Sequence, residues 1–96
     1  MRIKHNLLKN GFIVRLRTLK EVKMLSIMLS DNGYQWESGQ DLKEVNYFKK
    51  SGVSIAYNAR ISKLVSHCPP SYYKRQGNRV YDFTEVLDLA TLYKEV

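Results

Sequence analysis

The chain has 96 residues, 44% hydrophobic and 11% aromatic, which is enough apolar surface for one folded domain and too much for a disordered segment. Its net charge of +7 points to anionic partners. The lone Cys68 excludes an internal disulfide, no apolar run reaches the roughly 18–20 residues of a membrane span, and the N-terminus lacks the apolar block of a signal peptide, so a cytoplasmic protein away from membranes is expected.

The charge is segregated along the chain. Residues 1–20 carry +6 and residues 45–81 carry +7 without a single acid, while 21–44 and 82–96 carry −3 each. Such blocks imply a one-sided positive field suited to phosphate. An ordinary solvated basic surface is the competing reading.

In chain order, residues 1–10 read as a flexible basic arm on a single domain spanning 1–96. "FIVRLR" (12–17) alternates Phe12, Val14 and Leu16 with Ile13, Arg15 and Arg17, the period of a strand. Thr18 followed by Glu21 predicts a capping box, and the helix it opens is expected to stop at Gly33, with Val22, Leu25 and Leu29 buried and Met28 beside them. Met24 and Ile27 fall on the other side, among Lys20 and Lys23, and mark a candidate protein interface. "YQWE" reads as a short extended segment with Tyr34 and Trp36 on one side, turned by Ser38-Gly39, and "DLKEVNYFKK" (41–50) as a short helix or irregular crossing. "VSIAYN" (53–58) and "ISKLVSH" (61–67) predict strands joined by a turn at 58–60, the second ended by Pro69-Pro70. "RVYDF" (79–83) predicts a last strand, after which Thr84 caps a terminal helix with Val86, Leu89, Ala90 and Tyr93 inward. The sum is an α+β fold: a small antiparallel sheet of four or five short strands with two main helices on one face.

Catalytic chemistry finds little support. His67 and Cys68 are adjacent on a strand, so their side chains point to opposite faces, and only His5 remains as a further imidazole. Asp82 and Glu85 are explained by a helix start, and Asp41 and Glu44 by a solvated turn. Gly33, Gly39, Gly52 and Gly77 are isolated, so no phosphate-cradling glycine loop exists. No enzyme, cofactor or metal is expected.

"SYYKRQGNR" (71–79) is the strongest binding candidate. Tyr72 and Tyr73 can stack on unpaired bases while Lys74, Arg75 and Arg79 meet phosphates. Arg15 and Arg17 leave the core side of their strand together, Lys63 adds charge, and Ser54, Ala56 and Asn58 make a face of small residues open to a flat ligand. The opposing reading is a loop whose tyrosines pack back onto the sheet. Trp36 reads as a structural plug between the helix C-terminus and the sheet.

The helix ending Asn32-Gly33, then Tyr34-Gln35-Trp36-Glu37-Ser38-Gly39 and Leu42, resembles a pattern in short accessory proteins of tailed bacteriophages, and "RVYDFTEVL" (79–87) resembles their closing strand. The resemblance spans about residues 12–87 and carries no catalytic residues. It implies a viral protein with a counter-defence role, such as an antitoxin or an inhibitor of a host nuclease; the basic charge argues against nucleic-acid mimicry. The leading expectation is therefore RNA or single-stranded nucleic-acid binding, together with a host defence protein or a homodimer partner. The alternatives are a protein-binding inhibitor of an acidic host protein without nucleic acid, and an oligomeric sponge for a nucleotide signal.

Overall fold

The alternation in residues 12–16 builds the strand around which the rest of the chain is arranged. The computed structural model describes residues 2–48 and 54–88. Its elements are α1 (His5–Asn10), β1 (Phe12–Leu16), α2 (Leu19–Asp31), β2 (Gln35–Trp36), β3 (Ile55–Ala59), β4 (Leu64–Cys68), α3 (Pro70–Arg75), β5 (Val80–Asp82) and a 3-10 turn over Phe83–Val86. One five-stranded sheet has the order β2-β4-β3-β1-β5.

The fold is α+β, but the sheet is mixed rather than antiparallel. β1 pairs antiparallel with β3, and β3 with β4, while both outer strands, β5 on β1 and β2 on β4, are parallel. A parallel neighbour needs a crossover, and the helix between β4 and β5 supplies one. α3, a helix that the sequence did not announce, lies on the face opposite α2. Val14, Leu16, Tyr57, Ala59 and Val65 meet Val22, Leu25 and Leu29 of α2 in the main core, whereas Tyr73 of α3 packs on the opposite face against Ile13 and Ala56, with Cys68 and Val80 alongside.

Local chemistry explains both ends of α2. The Thr18 hydroxyl accepts from the Glu21 amide at 3.2 Å, and the Glu21 carboxylate accepts from the Arg17 amide at 2.8 Å, one residue short of a regular capping box. Gly33 takes φ +85°, its amide donates to the Ser30 carbonyl, and the Tyr34 amide donates to the Leu29 carbonyl, both at 3.0 Å. These paired bonds make a Schellman ending, and buried Leu29 and Tyr34 supply its apolar side.

Several boundaries differ from the sequence expectation. Residues 2–10 are no free arm: Ile3 is 2% exposed and bridges Leu87, the Lys4 amide donates to the Val86 carbonyl at 2.9 Å, and α1 buries Leu7. The β3–β4 turn lies at 60–63, with Lys63 at φ +65° and its amide bonded to the Arg60 carbonyl, so Ile61 sits on the turn and not in a strand. Pro69-Pro70 does end β4, but Pro70 also starts α3, because proline's missing amide is tolerated in a first helical turn. Residues 71–79 are thus a helix and a turn rather than a loop. Asp82, not Thr84, precedes the 3-10 turn, and Leu87 returns to extended backbone and ends it. Residues 42–44 form a turn. Leu89, Ala90, Tyr93 and Lys94, and Lys49, Lys50 and Val53, lie outside the described residues.

Candidate nucleic-acid interface

Arg15 leaves the core face of β1 beside β5, whose register sets it opposite Asp82. Its guanidinium donates twice to Asp82 Oδ1, at 2.8 and 3.2 Å, and Arg17 reaches the same oxygen at 3.2 Å. The hydrogen bond from Arg15 holds the Asp82 carboxyl below the usual carboxylate range, helped by the charges of Arg17 and Lys74. Two cations thus hold one acid, and Lys74 adds its charge from farther off without an ion pair to it. Arg15 is largely held by that acid; Arg17, with its side chain 55% exposed, keeps most of its reach.

α3 divides the expected binding residues by helical geometry. Tyr72 is 47% exposed, while Tyr73, one residue on, points down and is 4% exposed. Burial raises the Tyr73 phenol pKa, and its hydroxyl faces Ser66 and Cys68. The two rings meet edge-on at 5.4 Å. Lys74 and Arg75 are exposed and enter no ion pair among the described residues. Tyr73 also covers Ala56, which closes the middle of the face expected to take a flat ligand.

Two expected contributors stand apart. Lys63 lies at the β3–β4 turn with its ammonium against Gly33. Arg79 follows α3 by a short turn, stacks over Tyr81 at 4.4 Å and approaches Glu85 only to 3.9 Å. Beside Arg79, at the end of the sheet where β1 begins, is an open groove of about 610 Å³ that also takes in Asn10, Asn58, Ile61 and Asn78. The sequence carried no signal for it, because its walls come from three separated segments.

The expected protein interface is also split. Lys20 and Lys23 are exposed, but Met24 is half-buried and packs against the main core, so α2's buried stripe is wider than Val22, Leu25 and Leu29 implied. Ile27 alone is strongly exposed, at 50%, and with Lys23, Ser26, Leu42 and Lys43 rims a hollow of about 260 Å³.

Trp36 is buried at the edge of the main core, its indole N–H donating to the Val45 carbonyl at 2.9 Å and its ring edge-on to Tyr47, Tyr57 and His67. His67 stacks on Tyr47 at 4.0 Å, and burial lowers its pKa. It faces away from Cys68, which lies under α3. No group of three or more His, Cys, Asp or Glu among the described residues is placed to hold a metal ion. Nor is any described helix long and apolar enough to cross a membrane.

No family model, curated protein or solved structure matches this chain. Function therefore rests on the chemistry of the surface itself.

Proposed function

We propose that this chain is a non-enzymatic phage accessory protein of the host cytoplasm that binds RNA or other single-stranded nucleic acid and so counters a host nuclease or toxin. One observation carries the binding reading: α3 presents an exposed ring, Tyr72, beside Lys74 and Arg75, two cations with no ion pair among the described residues, with Arg17 on the neighbouring strand end. An unpaired base stacks on the ring while phosphates meet the cations, a division of labour that a duplex, with its bases stacked inside, cannot use. Tyr73 takes no part, since it fills the small core below.

Salt dependence tests this directly. Contact with about four phosphates gives a slope of log affinity against log salt near −3, at roughly −0.7 per contact on a single strand. Lys74→Ala or Arg75→Ala reduces that slope by under one unit, whereas Tyr72→Ala weakens binding by about 1–3 kcal/mol and leaves it unchanged. Equal binding of heparin, duplex DNA and RNA, indifferent to Tyr72, defeats the proposal in favour of an inhibitor that docks its basic surface on an acidic host protein.

A further inference from the structure

We infer that the groove at the start of β1 seats a single nucleotide unit, its base among Asn58, Asn78 and Ile61 and its phosphate on Arg79; this rests on the surface reading above. The groove's volume, about 610 Å³, lies in the range of small-molecule sites, and no carboxylate among the described residues lines it. The side-chain carboxamides of Asn58 and Asn78 make no hydrogen bond among the described residues, while Asn10 spends its N–H on the Asn6 carbonyl and keeps its oxygen. A carboxamide offers a donor and an acceptor side by side, which is what the edge of a base requires.

Ile61, 68% exposed on a turn, supplies an apolar side wall open to an incoming ring. Gly11, at φ +78°, forms the floor: a Cβ there would come within 3.2 Å of the Ala59 carbonyl oxygen. Arg79 stands at the mouth with its side chain 72% exposed and a 3.9 Å approach to Glu85 as its only ion pair among the described residues, so an incoming phosphate competes for it easily. Asn78 and Arg79 of the groove follow the end of α3 at Arg75 by three and four residues, which keeps the two sites close along the chain.

The ligand chemistry is that of a nucleoside monophosphate, whether free or within a strand. The test titrates the full chain with the four nucleoside 5′-monophosphates and with short single strands, reading side-chain amide shifts by NMR and affinity by calorimetry. Asn58→Asp and Ile61→Glu place acid in the groove; Gln35→Glu, on the far edge strand, controls for added charge, and Tyr72→Ala reports on α3. The expected result is shifted Asn58 and Asn78 side-chain amides, at least tenfold weaker monophosphate binding in Asn58→Asp and Ile61→Glu, and no weakening in Gln35→Glu. Strands that bind through Tyr72 while both groove variants behave like Gln35→Glu overturn the seat and leave the surface reading standing. Monophosphates that bind in the groove without any strand binding do the reverse. Binding of neither removes both.

Discussion

Trp36 shows how one side chain ties three parts of the chain together. It sits on β2, bonds the crossing segment through the Val45 carbonyl, and packs edge-on against Tyr57 of β3. Trp36→Ala is expected to cost about 3–5 kcal/mol, a large share of a small domain's stability. Denaturant unfolding measures it, and the native protein should show blue-shifted emission. His67 provides a second, pH-dependent readout. Burial holds its folded pKa below the ordinary 6.5, so the unfolded chain takes up its proton first as pH falls. Its contribution is whole above pH 6.5 and declines below it, until the folded imidazole itself protonates. Urea midpoints of wild type and His67→Gln at pH 7.5 and 5.5 check this: the variant should lose less on acidification.

α2 and α3 are both amphipathic, and their opposite placement decides which residues can act. α2 was legible because Thr18, Glu21 and Gly33 mark its ends with side-chain chemistry. α3 was not: six residues that begin on the second of two prolines read equally as a loop, and only packing on Ile13 and Ala56 tells Tyr73 from Tyr72. The Asp82 cluster gives this part of the molecule a measurable restraint. Asp82→Asn keeps a good N-cap residue for the 3-10 turn and releases Arg15 and Arg17. Affinity for single strands should rise and the salt slope steepen by about 0.7 for each additional phosphate engaged. Unchanged binding would place both arginines outside the interface.

The molecule as a whole keeps its two candidate surfaces apart, α3 with its arginines across the sheet from the exposed Ile27 of α2. An isolated exposed isoleucine is common on protein surfaces, but lysines and a 260 Å³ hollow beside it make an apolar contact ringed by positive charge. Ile27→Lys should leave nucleic-acid affinity unchanged. Should it also shift a self-associating species to monomer in sedimentation velocity, Ile27 belongs to a protein interface; identical profiles for variant and wild type make it solvated surface.

What the sequence determined by itself was local: the core side of β1, α2 from cap to Schellman glycine, the burial of Trp36, and the opposite facing of His67 and Cys68. Each follows from a period or a terminal residue whose partners lie a few positions away. Tertiary structure decided the rest. The pairing of β5 with β1 brought Asp82 to Arg15 across 67 residues, and it turned Arg15 from a free phosphate ligand into half of an ion pair. The approach of Ile3 to Leu87 converted a supposed basic arm into core, because an edge that closes between chain ends has no local signal. The groove beside Arg79 exists only because the ends of β1, β3 and β5 meet there, and nothing in any one segment's own pattern records which others will stand next to it.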